Sequence, residues 1–168
     1  MKNILLTGRP GVGKTSLIQK IVHEFKGKAG GFYTQEIRNH NRRTGFEIVT
    51  LLGIKGILSS VDIKSPFRVG KYGVNLKDLE EIAVREIEKA LQRDDLIVVD
   101  EIGKMELFSK NFQAVILKAL NSPKPFLATI TKSSNPFTDK IKKRNDVLLI
   151  EVTEENRNSI ILEIINKM

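Results

Sequence analysis

The sequence predicts an α/β protein whose mainly parallel sheet is flanked by helices, with an antiparallel hairpin insertion around residues 31–69. Three observations carry that expectation. Short apolar runs alternate with segments of helical periodicity, a glycine-rich turn joins the first run to the first helix, and the middle of the chain alternates around glycines instead. A chain of 168 residues can bury one substantial core and not two comfortable ones, so a single domain over 1–168 is expected.

Ile4-Leu5-Leu6 ends at Gly8 and reads as a buried strand. After Lys14 the period changes: Leu17, Ile18, Ile21, Val22 and Phe25 share one helix face, and Gly27 stops the helix. Gly30-Gly31 opens a strand over 32–37. Two alternating segments follow, 46–52 and 57–61, separated by a turn at Gly53. Asn75 is placed to cap a helix with buried stripe Leu76, Leu79, Ile82, Ala83, Ile87, Ala90 and Leu91. Leu96-Ile97-Val98-Val99-Asp100 is a buried strand ending in an acid. Ser109 caps a helix carrying Phe112, Val115, Ile116 and Ala119, and 125–131 is the next strand. A short basic helix over 137–143, a last strand over 147–150 and a closing helix capped by Thr153 complete the pattern.

Hydrophobic residues make up 40% and charged residues 29% of the chain, which excludes a disordered or collagen-like protein. No run reaches the about 18 apolar residues that a spanning helix needs, and the first residues lack the apolar stretch of a secretory signal. A cytoplasmic protein with no membrane partner is therefore expected. Cysteine is absent, which excludes disulfides, thiolate nucleophiles and Cys-bound zinc or iron–sulfur clusters. Two histidines, His23 and His40, do not make a multi-histidine metal site. The net charge of +8 calls for an anionic partner. With no Trp and two Tyr, the stacking platform of a nucleic-acid surface is missing.

Gly8-Arg9-Pro10-Gly11-Val12-Gly13-Lys14-Thr15 supplies a definite anion site, because it fits the phosphate-loop pattern G-x-x-x-x-G-K-[ST]. Glycines let backbone N–H groups turn toward phosphate oxygens, and the helix that begins near Lys14 adds its positive dipole end. Lys14 would reach the β- and γ-phosphates, and the Thr15 hydroxyl would ligate Mg²⁺. Val98-Val99-Asp100-Glu101 fits the companion pattern, an apolar strand ending in acid. Asp100 would hold Mg²⁺ and Glu101 would accept a proton from an attacking water; the bland reading has Glu101 facing solvent or capping a helix. The expected nucleotide contacts are Gly8, Arg9, Pro10, Gly11, Val12, Gly13, Lys14, Thr15 and Ser16, with Asp100, Glu101 and Gly103. An Asp-Glu pair suits the branch of P-loop proteins in which one strand separates the two motif strands. That strand would be 126–131, ending in Thr131 as a polar sensor or simply as a β-former.

Asp100-Glu101-Ile102-Gly103 also fits D-x-x-G of regulatory GTPases, but Thr131-Lys132-Ser133-Ser134 lacks the acid that would read guanine. Two basic clusters remain: Arg38, His40, Arg42 and Arg43 around one turn, and Lys140, Lys142, Lys143 and Arg144 after the sensor strand. Either can be a solvated face, or some of its residues can cover the triphosphate. Arg144 is taken as the better candidate for an arginine that neutralises transition-state charge in cis.

Several stretches together resemble the THEP-type nucleoside-triphosphatases, whose human relative is called cancer-related nucleoside-triphosphatase. They are the segment Leu6 to Leu17, Gly31-Phe32-Tyr33-Thr34-Gln35-Glu36-Ile37-Arg38, Val69 to Val74, Val99-Asp100-Glu101-Ile102-Gly103-Lys104-Met105-Glu106-Leu107, and Pro136 to Val147. The resemblance covers nearly the whole chain. It implies a RecA-like P-loop NTPase fold and Mg²⁺-dependent hydrolysis of ATP, GTP, CTP and UTP with broad base tolerance. A monomer is expected. A nucleotide or small-molecule kinase and a nucleic-acid-stimulated ATPase are the competing readings.

Overall fold

The computed structural model describes residues 2–168. One sheet of nine strands runs through the molecule in the order β5-β6-β4-β3-β2-β7-β8-β1-β9. The strands are β1 (Asn3–Thr7), β2 (Ala29–Asn39), β3 (Arg42–Thr50), β4 (Lys55–Ser60), β5 (Arg68–Val69), β6 (Tyr72–Val74), β7 (Leu96–Ile102), β8 (Phe126–Ile130) and β9 (Val147–Glu151). The expected separation of the motif strands is present: β8 pairs in parallel with β1 on one side and β7 on the other.

The sheet is mixed, not mainly parallel. β2, β7, β8, β1 and β9 are parallel, whereas β2, β3, β4, β6 and β5 pair antiparallel. The hairpin insertion is no excursion from the sheet. It pairs edge-on with β2 and continues the ladder, which leaves no long bare edge on that side.

Alternation along the buried strands divides the core between the two faces. Leu5, Val99 and Ala128 point to one face, against α4 (Lys110–Asn121) and the helical segment 76–93. Ile4, Leu6, Val98 and Leu127 point to the other, against α1 (Lys14–Glu24) and α6 (Ile160–Lys167). The segment 76–93 starts as α2 (Leu76–Asp78), with the Asn75 side chain accepting from Asp78 N at 3.1 Å. It winds through a π-helical stretch, Leu79–Val84, into α3 (Arg85–Arg93). Ser109 caps α4, accepting from Phe112 N at 3.0 Å. The basic helix is α5 (Pro136–Lys142).

Thr153 does not cap the closing helix. Its Oγ1 accepts from Asn156 N at 3.2 Å while Asn156 Oδ1 accepts from Thr153 N at 2.8 Å. That reciprocal pair closes a tight turn, and α6 begins only at Ile160. Among the described residues no helix is long and apolar enough to cross a membrane.

Two consequences of this topology build the site. The parallel strands β1, β7 and β8 bring Gly8, Asp100 and Thr131 to one edge of the sheet. β2 overshoots that edge: it pairs with β7 only from Ala29 to Phe32, and its remaining seven residues continue with β3 alone. At about 3.3 Å per residue, the overshoot raises a wall of roughly 20 Å beside the acids.

Candidate active site

The loop between β1 and α1 is shaped by backbone rather than by side-chain caps. Gly13, the N-cap of α1, has φ +105°, a conformation that costs an L side chain 1–3 kcal/mol, roughly, and costs glycine nothing comparable. No side chain caps α1, so its first-turn N–H groups stay open to an anion. Lys14 Nζ donates to the carbonyls of Gly8 at 2.8 Å and Arg9 at 3.1 Å, folding the ammonium back across the loop. Burial lowers the Lys14 pKa, and the carboxylates of Glu101 and Asp100 oppose that fall. Val12 is turned into the core and Arg9 stands exposed outside the cleft, so these two loop positions serve its shape rather than its lining.

Asp100 closes the unbroken buried run Leu96 to Asp100 of β7 and is 3% exposed. Its Oδ2 accepts from Thr15 Oγ1 and its Oδ1 from Thr129 Oγ1, both at 2.6 Å. Burial raises the Asp100 carboxyl pKa; the two hydroxyls and Lys14 pull it back. Glu101 stands beside it, half-buried, its pKa raised by burial first and by the Asp100 charge second. Gly103 lies under Glu101, where any Cβ would run into the Glu101 carboxylate. It leaves room for the acid and does not itself line the cleft. Glu106, one short turn further, is fully buried, and that burial pushes its pKa well up.

These groups open onto a cleft of about 670 Å³. Its floor is Gly8, Pro10, Gly11, Gly13, Lys14, Thr15 and Ser16; Asp100, Glu101 and Thr131 form its middle. The β2–β3 wall closes it with Thr34, Glu36, Arg43 and Phe46. Thr131 is thus at the cleft as expected. Lys132, beside it, is engaged by Glu151 at 2.6 Å.

Arg144 is not at the cleft. Its Nε and Nη2 hold both oxygens of Asp146, at 2.8 and 2.7 Å, and Nη2 also reaches Asn121 Oδ1 at 2.9 Å. Asp146 in turn accepts from Asn3 Nδ2 at 3.2 Å. Asn3 begins β1, and the phosphate loop follows its end, so Arg144 braces the opposite edge of the sheet.

The sequence alone hides Thr129 and does not single out Arg43 from its cluster. Thr129 reads as a β-former inside an apolar run; only the β7–β8 pairing shows its hydroxyl on Asp100. Arg43 sits in a cluster with two other arginines, and only the overshoot of β2 carries it over the cleft.

The donors beside Lys14 suit a hard divalent cation. A hydroxyl and a carboxylate oxygen lie adjacent, and no group of three or more His, Asp or Glu side chains among the described residues makes a cage of its own. Mg²⁺ binds in this manner when phosphates and water complete its shell.

A glycine loop at the end of a parallel strand, an open helix N-terminus and a hydroxyl-tethered acid on a strand two places away define a P-loop nucleotide-binding protein. Comparison with known proteins narrows this class. The NTPase family model matches residues 3–165, and the chain belongs to that family. The nucleoside-triphosphatase THEP1 of Thermotoga maritima is 58% identical over 163 residues, spanning 97% of this chain and 93% of that one. The crystal structure of THEP1 from the hyperthermophile Aquifex aeolicus matches with a TM-score of 0.89 at 41% identity, covering 96% of each chain. The solution structure of a human cancer-related nucleoside triphosphatase matches with a TM-score of 0.82 at 37% identity, covering 99% of this chain and 97% of that one.

Proposed function

We propose that the chain is a Mg²⁺-dependent nucleoside-triphosphate phosphohydrolase acting on ATP, GTP, CTP and UTP. The observation that carries this reading is the tether between Thr15 and Asp100 at 2.6 Å, set between the open end of α1 and Glu101. The triphosphate would lie along the loop Gly8 to Thr15, with Lys14 leaving the Gly8 and Arg9 carbonyls for β- and γ-phosphate oxygens. Thr15 and Asp100 would hold Mg²⁺, which supplies charge neutralisation between the β- and γ-phosphates. Glu101 would orient a water against the γ-phosphorus and take its proton as the bond to the β-phosphate oxygen breaks. Burial suits Glu101 to that task by raising its proton affinity.

Broad base tolerance follows from what stands where a GTPase reads guanine: Lys132, paired to Glu151, and Ser133 supply no carboxylate. The test is phosphate release from the four triphosphates and from diphosphates, with and without Mg²⁺. Comparable rates on all four triphosphates, lost with chelator, support the reading. Release that requires an added acceptor molecule would mark a kinase, and strong stimulation by RNA or DNA a nucleic-acid-dependent ATPase.

A further inference from the structure

With Arg144 committed to the opposite edge of the sheet, the cation expected at the reacting phosphate must come from elsewhere. We infer that Arg43 contacts the transferred phosphoryl group, supplied in cis by the β2–β3 wall. This rests on the phosphate-loop reading and deepens it.

Position comes first. The loop delivers a phosphate chain whose reacting end points toward Asp100 and Glu101, and the next wall beyond those acids is the overshoot of β2 with β3. Arg43 lies on that wall and lines the same cleft as Lys14, Thr15, Asp100 and Glu101. Its bonding comes second. Nε donates to Tyr72 Oη at 2.9 Å, Nη1 makes a long 3.3 Å contact to Glu36 Oε1, and Nη2 has no hydrogen-bond partner among the described residues. Arg144 closes its fork on the single carboxylate of Asp146, whereas Arg43 spends Nε and Nη1 on two separate partners and keeps Nη2 unpartnered among the described residues.

Charge comes third. Among the described residues Glu36 is the carboxylate that pairs with Arg43, and it already pairs more closely with Arg38, at 2.7 Å. One negative charge thus serves two guanidiniums, so Arg43 has no carboxylate partner to itself. The rings of Phe46 and Tyr72 lie 5.1 and 5.6 Å from the Arg43 guanidinium carbon. They flank the half-exposed side chain, and only Tyr72 takes one of its donors, Nε. A planar fork with free N–H groups matches two equatorial oxygens of a phosphoryl group as charge spreads over them.

The test compares wild type, Arg43→Ala and Arg43→Lys in three measurements: steady-state phosphate release, binding of ADP, and binding of ADP with Mg²⁺ and aluminium fluoride as a mimic of the transferring phosphoryl group. For Arg43→Ala the expected loss in kcat is on the order of 10³-fold, the range of a phosphate-directed arginine. ADP affinity should stay within about threefold, because the contact belongs to the transition state. The aluminium fluoride complex should be lost. Arg43→Lys should recover only a small part of kcat, since a point charge cannot reproduce the fork. The inference is overturned if wild type hydrolyses and binds ADP while Arg43→Ala keeps kcat within about threefold. It is equally overturned if both variants lose ADP and the aluminium fluoride complex alike, which is the signature of a structural role. A wild-type chain that neither binds ADP nor releases phosphate sinks the loop reading, and the inference with it.

Discussion

In β1, β7 and β8 almost every side chain is buried, and most of the few polar groups among them are hydrogen-bonded: Asp100 lies between two hydroxyls, and Asn3 reaches Asp146 and a backbone carbonyl, while the buried Thr7 hydroxyl has no partner among the described residues. In β2 and β3 beyond Phe32, half-exposed charges face the cleft and share partners, with Glu36 divided between Arg38 and Arg43. The parallel half resists displacement because a shift at Asp100 or Asn3 would strand a buried polar atom. The antiparallel half tolerates rearrangement, because its charged groups trade protein partners for water at little cost. A site that joins the two has a rigid floor, where the ligand is placed, and an adaptable wall that can meet charge as it develops.

Four measurements sharpen or break that contrast. Glu101→Gln, on the rigid floor, should keep nucleotide binding and lose about 10²- to 10⁴-fold in turnover. Near wild-type phosphate release would remove Glu101 from the proton transfer. Thr129→Val deletes one tether of Asp100 without touching the loop. Turnover and apparent Mg²⁺ affinity should each fall roughly 10- to 100-fold, as for other residues that orient a ligand from behind. A titration of Mg²⁺ against activity reads this directly, and an unchanged midpoint would mean that Thr15 alone holds the carboxylate.

Glu106 probes the buried acid under the floor. Its folded pKa is raised by burial, so its carboxyl binds a proton in the fold at pH values where the unfolded chain has released it. The stability this group contributes is complete below the ordinary glutamate pKa and is lost as pH rises through the folded value. Glu106→Gln should therefore gain in Tm relative to wild type as pH is raised through that window. A Tm difference independent of pH would show that Glu106 titrates alike in the folded and unfolded chain. The smallest effect belongs to Arg144→Ala: turnover unchanged, and stability lower by about 1 kcal/mol or less, since the pair with Asp146 is partly exposed. A tenfold loss of turnover, far outside that expectation, would return Arg144 to the site.

The rigid floor was largely readable from sequence. The loop Gly8 to Thr15, the acids after Val99, and the caps at Asn75 and Ser109 are contiguous patterns whose physics is local: a positive φ, a free N–H, a strand end. The wall was not readable in the same way. That Arg43 and not Arg144 reaches the cleft depends on where β2 stops pairing with β7, and nothing near Arg43 in the chain encodes that. Thr129 was hidden because a threonine in a strand has an ordinary reason to be there. The sheet proved mixed because the edge of β2 offers the hairpins a ladder, a gain visible only once the strand order is known. Thr153 carries a capping side chain, but Asn156 answers it within one turn and the helix starts later.

The ammonium of Lys14, folded onto the Gly8 and Arg9 carbonyls, makes occupancy of the loop an exchange reaction. An incoming anion does not find a bare cation; it competes with two oxygens of the chain itself, at 2.8 and 3.1 Å. The net gain is the difference between what the ligand offers and what the loop gives up. A lone phosphate that replaces one of those bonds gains little, whereas a chain of phosphates that replaces both and also meets the open N–H groups of α1 gains at each step. The loop thereby discriminates by the length of the anion, before any base, metal or catalytic group has been consulted.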